Sequence, residues 1–317
     1  MTNPKALVVG CGVMGSHHAR IYSDLQMLAG VCDSDVNRAS FIGEKYKVPY
    51  FVDLDLALSS LKNDSFRVAS IAVPTPFHFN VTNKCLSAGY HVLLEKPAAE
   101  SIQEINSLGE KANALGLVLS IGYIELFNPA FQKVEELFND GFFGEITSIT
   151  IRRVGGIPRS ADNVIFDLMT HDFSLVQRLL KKIPDRLTVY QRRKSEILVD
   201  SAQALLGFGP ISVFCEANWI SPIKIRNLII TGTSGYCKSD LIQQSIQCFG
   251  KKLNSLQPFS NEVDSLSMYL SFKKEPLREE ILNFVNFIKD KSGIIVSAFE
   301  ASQVLETTLR AIQLGGQ

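Results

Sequence analysis

The sequence predicts an α/β protein of two domains. The first is a doubly wound parallel sheet. The second is α+β, with a large, mostly antiparallel sheet open on one face. Three observations carry this prediction. At 317 residues the chain is too long for one ordinary core and comfortable for two. Up to about Tyr123, short apolar strands alternate with helical stretches, the pattern of βαβ units. After Asn128, longer segments with period-two alternation take over. The boundary is expected between residues 122 and 123, giving domains over 1–122 and 123–317.

The first strand is the apolar run Leu7-Val8-Val9, as expected of a parallel strand covered on both faces. It runs into Gly10-Cys11-Gly12-Val13-Met14-Gly15, and a helical pattern follows from Val13 to Met27. In this context Gly10 permits a tight turn, Gly12 lets a pyrophosphate approach the backbone, and Gly15 lets helix pack on strand. The helix start, at Val13 and Met14, presents free N–H groups and a positive dipole end to phosphates. A second strand, 28–32, ends at Asp33, about 20 residues on, where a ribose-binding carboxylate is expected. These features predict a Rossmann domain that binds NAD. Asp33 would repel a 2′-phosphate, while Arg38 leaves NADP open.

The rest of the first half follows in order. Helices are expected over 38–46, 54–61, 77–88 and 101–115, and strands over 49–52, 68–73, 91–94 and 117–121. Ser101 and Glu104 stand in capping-box spacing, and Gly89 and Gly116 stop their helices. In the second half, helices are expected over 129–138, 167–180, 277–289 and 298–314. Strands are expected over 146–154, 186–193, 211–219, 228–231 and 268–272. Along 211–219, Ile211, Val213, Cys215, Ala217 and Trp219 face one way, which suits a half-covered sheet.

Composition narrows the function. Hydrophobic residues make up 46% and charged residues 20%, so the chain is globular rather than disordered. The formal net charge is zero, so nothing points to nucleic acid or an acidic membrane as partner. No apolar run approaches membrane-spanning length, and the start of the chain leaves no room for a signal peptide. The six cysteines contain no C-x-x-C pair and are expected to be reduced thiols of a cytoplasmic protein. No metal site is expected; the adjacent His17 and His18 point apart on a helix.

Several residues could carry chemistry. Glu95-Lys96-Pro97 ends a parallel strand, where open α/β sheets place ligands. A lysine there can donate to a substrate hydroxyl, and could equally be a solvated strand-end lysine. Asp167 and His171, spaced i, i+4, share a helix face, where a carboxylate can orient an imidazole as a base. The same spacing also suits an ordinary surface pair. Pro74-Thr75-Pro76 with His78 follows another strand end and would line the cofactor cleft, or simply start a helix. Arg152, Arg153 and Arg159 flank a Gly155-Gly156 turn and could grip a diphosphate, or be surface charges.

At these residues the chain resembles the Gfo/Idh/MocA oxidoreductase family over essentially its whole length. The opening segment from Gly10 to Arg20, the tripeptide Glu95-Lys96-Pro97, the Asp167-x-x-x-His171-Asp172 segment and the late stretch from Glu275 to Phe284 carry the likeness. The resemblance implies a catalytic Lys96, Asp167 and His171, and a ribose-binding Asp33. It implies cofactor contacts from Gly10, Gly12, Val13, Met14, Gly15, Arg38, Pro74, Thr75, His78, Glu95 and Lys96. A narrower likeness, through Arg153 to Arg159 and Asp162 to Asp172, is to members that oxidise the 3-hydroxyl of a UDP-linked N-acetylhexosamine or its uronic acid. There the 3-keto product feeds 3-amino sugar synthesis for lipid A or surface polysaccharide. The segment from Gly122 to Pro129 resembles the same group and departs from it at Tyr123 and Leu126, where His and Arg are common. By this likeness Lys96, Tyr123, Asn128, Arg153, Arg159, Asp167 and His171 contact the substrate. The expected protein is an NAD(P)-dependent dehydrogenase and a homo-oligomer, dimer or tetramer, formed through the open sheet face. A dehydrogenase of a free polyol such as inositol is the alternative within the class. A cofactor-binding regulator without catalysis is the alternative outside it.

Overall fold

The computed structural model describes residues 4–61, 67–156, 163–195, 198–251 and 265–315. The chain divides into two compact units: Met1–Ile124 with Leu277–Ser302, and Glu125–Pro276 with Gln303–Gln317.

The first unit holds a six-stranded sheet. Its strands are β1 (Lys5–Val9), β2 (Leu28–Cys32), β3 (Tyr50–Phe51), β4 (Arg67–Ile71), β5 (His91–Glu95) and β6 (Leu119–Gly122), in spatial order 3-2-1-4-5-6. Every pairing is parallel. Five helices make the crossovers: α1 (Val13–Asp24), α2 (Val36–Tyr46), α3 (Leu54–Ser60), α4 (His78–Ser87) and α5 (Ile102–Ala114). The central strands are largely apolar; Leu7, Val8, Ala69, Ile71, Leu93 and Leu94 are wholly buried. Strand order reverses at β1 and β4, so the loops after these two strands flank the crevice where such sheets bind ligands. The Ser101–Glu104 capping box is formed at the start of α5.

The late helix α8 (Pro276–Asp290) belongs to this unit, which a boundary at 122/123 does not anticipate. The reason is its apolar face. Leu277, Ile281, Phe284 and Val285 pack with Ala19, Ile21, Tyr22 and Met27 of α1 and its exit. Beyond α8 the chain also bonds to the sheet edge, Ile121 N–H donating to Val296 C=O at 2.9 Å.

The second unit holds an eight-stranded sheet. Its strands are β7 (Ile146–Val154), β8 (Arg186–Arg193), β9 (Val199–Phe208), β10 (Ile211–Asn218), β11 (Ile225–Gly232), β12 (Gly235–Asp240), β13 (Ser245–Lys251) and β14 (Ser265–Ser271). Their order is 14-13-12-11-7-10-9-8, with β7–β10 the one parallel pairing. Helices α6 (Pro129–Asn139) and α7 (Thr170–Leu180) lie in this unit, with the later part of α9 (Ala298–Gly315). Gln177 on α7 donates to the Thr307 hydroxyl of α9 at 2.6 Å. Val213, Cys215 and Ala217 are wholly buried on one face of β10. The other face is open. Thr188, Leu205, Phe214, Thr150, Ile229, Lys238, Gln247 and Tyr269 form one continuous row across all eight strands.

Strands β9, β12 and β13 escape the sequence reading. In β9 the buried positions are Ala202, Ala204, Leu206 and Phe208, and Leu205 on the opposite face blurs the alternation. In β12 they are Gly235, Cys237 and Ser239, too small and polar to register as an apolar stripe. The expectation of six reduced thiols is also corrected. Cys237 and Cys248 stand directly opposite across β12 and β13 and form a disulfide. Cys11, Cys32, Cys85 and Cys215 are buried free thiols. Among the described residues no helix is long and apolar enough to cross a membrane.

Candidate active site

The glycine turn after β1 meets its structural expectations. Gly10 has φ +92°, and a Cβ there would stand 2.6 Å from the Ala72 carbonyl oxygen at the exit of β4. A Cβ on Gly15 would overlap the Gly10 carbonyl, so α1 packs against the turn only as glycine allows. Gly12 differs: an added Cβ would meet nothing within 4 Å. Packing within the protein therefore does not require glycine here, whereas close approach by a ligand does. Helix α1 starts directly after Gly12 with no side-chain cap, and Val13 is 75% exposed. Its first amides thus remain for an anion. This open cradle fits a dinucleotide pyrophosphate.

Asp33 sits where β2 ends, and it also ties the turn together. Its Oδ2 accepts the Cys11 N–H at 2.7 Å, and its Oδ1 accepts the Asp35 N–H at 2.8 Å. Arg38 lies 3.5 Å from Asp33 and 3.3 Å from Asp35. Two carboxylates thus share its charge, leaving little to attract a 2′-phosphate, and the site fits NAD.

At the ends of β4 and β5 the expected residues separate into two groups. Pro74 and Thr75 stand at the surface of a short 3-10 turn, Thr75–Phe77. Lys96 is half-buried, and its peptide bond to Pro97 is cis. His78 is not a lining residue. It is 1% exposed, and its ring nitrogens face the Pro97 and Val73 carbonyl oxygens, each at 2.8 Å. Burial pushes its pKa down, against the pull of those carbonyls. The Glu95 side chain likewise turns inward, to His18 and to the Lys96 amide. Tyr123 is 2% exposed, and burial pushes its hydroxyl pKa up.

In the second unit Asp167 and His171 are both half-buried. The segment carrying them is not a simple α-helix. A π-turn over Ile165–Met169 precedes α7. Asn163 caps it through Oδ1 to the Ile165 N–H at 2.9 Å, and the Thr170 hydroxyl bonds back to the Phe166 carbonyl at 3.0 Å. Such back-bonding competes with the helix ladder, and π-turns recur at functional sites.

Next to His171, Asp172 is completely buried. It accepts from Arg153 Nε at 2.7 Å, and Arg153 Nη1 donates to Glu125 Oε1 at 2.7 Å. The expected diphosphate grip of Arg153 is therefore corrected. The side chain is 3% exposed and lies between two carboxylates. Burial opposes its charge, and Asp172 and Glu125 more than restore it. With two carboxylates to one guanidinium, burial pushes Asp172 up to about 6 against the pull of Arg153. Nearby Arg226, which donates to Val154 and Gly155 carbonyls, is pushed down to about 10 by burial and by Arg153. Asn128 is corrected too. At 2% exposure, its Oδ1 caps α6 at the Ala130 N–H, and its Nδ2 donates to the Leu241 carbonyl at 2.8 Å. Arg159 lies outside the described residues. The ion triad of half-buried Glu125 with buried Arg153 and Asp172 was missed in the sequence. The one available signal was a lone arginine at an inward-facing position of a strand.

Comparison with known proteins agrees with this geometry. A family model described as "Oxidoreductase family, NAD-binding Rossmann fold" matches residues 5–123. The GFO/IDH/MocA C-terminal domain model matches residues 131–238. A UDP-N-acetylglucosamine 3-dehydrogenase of Acidithiobacillus ferrooxidans is 33% identical over 314 residues, covering 98% of this chain and 96% of the relative. A D-glucoside 3-dehydrogenase of Escherichia coli K12 is 33% identical over 159 residues, covering 48% of this chain and 44% of the relative. A solved structure of the A. ferrooxidans enzyme superposes with a TM-score of 0.87 and 25% identity, covering 99% of this chain and 98% of that one. With both family domains matched and a named dehydrogenase aligned from end to end, this chain is an NAD-dependent oxidoreductase, a dehydrogenase, belonging to the Gfo/Idh/MocA family.

Proposed function

We propose that this chain oxidises the 3-hydroxyl of a UDP-linked N-acetylhexosamine to a 3-keto sugar, with NAD as acceptor. The observation that carries this reading is the end-to-end match to a UDP-N-acetylglucosamine 3-dehydrogenase. The bound nicotinamide supplies the hydride acceptor. His171 takes the proton from the sugar hydroxyl, and Asp167 orients its ring. Lys96 donates to a substrate hydroxyl and anchors the sugar. Asp33 holds the adenosine ribose, and the first amides of α1 hold the pyrophosphate.

A second reading, oxidation of a free sugar or glycoside, has its own support. Arg153 is committed within the protein, which removes one grip on a diphosphate, and a D-glucoside 3-dehydrogenase matches about half the chain. The open row across the second sheet, with Leu205 53%, Phe214 38% and Tyr269 69% exposed, suits burial against another copy of the chain. The cytoplasm is the proposed compartment, since NAD and nucleotide sugars are held there.

The test is formation of reduced nicotinamide by the purified chain with NAD and UDP-N-acetylglucosamine. A 3-aminotransferase is added to draw off the ketone. Turnover requiring the UDP group is expected, and Lys96→Ala should abolish it while leaving NAD binding within about threefold. Turnover of free sugars alone moves the substrate to the second reading. Near-normal turnover by Lys96→Ala sinks the role given to that residue.

A further inference from the structure

Beneath Lys96 the first unit buries polar groups that the reaction does not use. Glu95 is 9% exposed. Its Oε1 lies 3.0 Å from His18 Nε2, and its Oε2 accepts the Lys96 backbone N–H at 3.2 Å. A carboxylate can only accept, so His18 carries its proton on Nε2. On the other side of the ring, His18 Nδ1 lies 2.6 Å from the Ser70 hydroxyl oxygen. His18 is 1% exposed and Ser70 not at all. Serine, histidine and carboxylate stand in the order of a hydrolase triad. With Ser70 closed to solvent, however, no acyl substrate reaches the hydroxyl, and the array can only hold structure.

The array converges on one backbone. Its last donor is the Lys96 N–H. On the far side of Lys96, His78 Nδ1 lies 2.8 Å from the Pro97 carbonyl. Lys96 is therefore held on both flanks by buried side chains. On β6, a Cβ at Gly122 would stand 3.3 Å from Glu95 Cα and 3.4 Å from Glu95 Cδ, so this glycine leaves Glu95 its inward position. From α8, Glu280 faces the same cluster at 1% exposure, and neither of its oxygens bonds to a described residue. Burial and then the Glu95 charge push its pKa well up. Glu280 makes no bond to the array, which leaves Glu95 as its acceptor.

We propose that His18 and Glu95 are positioning residues for Lys96, the histidine holding the carboxylate inward and the carboxylate holding the Lys96 amide. Catalysis by Lys96 rests on the function proposed above; the clamp itself does not. Removing the His18 donor leaves a buried carboxylate short of partners, which favours its swing toward water and releases the Lys96 amide.

The test uses the full chain with NAD present. The variants are His18→Leu, which removes both ring nitrogens, and His18→Gln, which keeps a donor near Nε2. Amide hydrogen exchange is read at Lys96 and at Leu93 and Leu94 of the same strand, beside kcat, KM and NAD affinity. In His18→Leu the Lys96 amide should exchange about tenfold faster while Leu93 and Leu94 stay protected, as for one lost local bond. kcat should fall roughly 100-fold, the scale of an ångström-sized misplacement, with KM and NAD affinity within about threefold. His18→Gln should recover most of both effects. If His18→Leu does not fold, Ser70→Ala should show the same pattern at about threefold. Unchanged exchange at Lys96 overturns the proposal. So does faster exchange throughout β5 that His18→Gln does not rescue, since that is loss of packing. Altered exchange at Lys96 with no turnover in the unmodified chain supports the clamp and sinks the substrate reading.

Discussion

Glu280→Gln offers a measurement that separates a protonated buried acid from an ionised one. Glu280 is 1% exposed, and both its oxygens lack hydrogen-bond partners among the described residues. Burial, then Glu95, raises its pKa well above the ordinary 4.5. The sign follows from proton binding. Above about pH 5 the unfolded chain has released this proton while the folded chain keeps it. Stability therefore falls as pH rises, until the folded group itself ionises. The slope in that window is about 1.4 kcal/mol per pH unit for one group. Glutamine has nearly the same shape and no proton to release, so its variant lacks this slope. As pH rises from 5.5 the variant should gain on the parent chain, by at most about 1.4 kcal/mol per pH unit, until the folded group ionises. At about 2.1 cal/mol/K per residue, a 317-residue chain melting as one has an unfolding entropy near 0.7 kcal/mol/K. Each pH unit in that window then amounts to at most about 2 °C in Tm, and more if the first unit melts alone. Other titrating groups, Asp172 among them, cancel in the difference. Thermal and urea unfolding of both chains across pH 5–8 is the assay. Parallel stability curves would refute the reasoning, because they require a Glu280 that is already ionised in the fold.

Other perturbations test the remaining claims. Gly12→Ala should leave Tm unchanged, since its Cβ meets nothing within 4 Å, yet weaken NAD binding about tenfold or more. Gly10→Ala, at φ +92° and 2.6 Å from the Ala72 oxygen, should instead cost about 2 kcal/mol or more of stability; equal behaviour of the two variants in melting and calorimetric titration would contradict the cradle. Arg153→Met strands Glu125 and Asp172 and should cost about 3–5 kcal/mol near pH 7.5, less at pH 5, where Asp172 gains a proton. Loss of UDP-sugar affinity with stability intact would restore Arg153 to the diphosphate. Asp33→Asn provides one acceptor where Cys11 and Asp35 amides need two, so NAD binding should weaken about tenfold while preference shifts toward NADP; unchanged affinity for both would remove the ribose role.

The Rossmann unit was legible because its signals are local. The apolar run of β1, the glycines at 10, 12 and 15 and the acid at 33 each constrain a few neighbouring bonds, and the strand order followed. The same holds for the Ser101–Glu104 capping box, which needs only four consecutive residues. Strand β12 was not legible because small residues bury without leaving an apolar stripe, and β9 because Leu205 on its open face blurs the alternation. Nor does an amphipathic helix say which core it will join. The apolar face of α8 fits any apolar partner, and only the packed structure sets it against α1.

The site divides along the same line. Residue type and spacing alone determined that Lys96, Asp167 and His171 stand at element ends with acid–base chemistry to offer, and that Gly12 and Asp33 suit NAD. What polar side chains face was decided by the tertiary structure. Arg153 and Asn128 looked like substrate contacts, yet one closes an ion triad and the other caps α6. His18, Ser70, Glu95 and Glu280 come from four separate elements and meet under Lys96. Hydrogen bonds and ion pairs act over a few ångströms, whereas these groups lie up to hundreds of residues apart in the chain. Their partnership exists only once α1 and α8 have packed with the sheet.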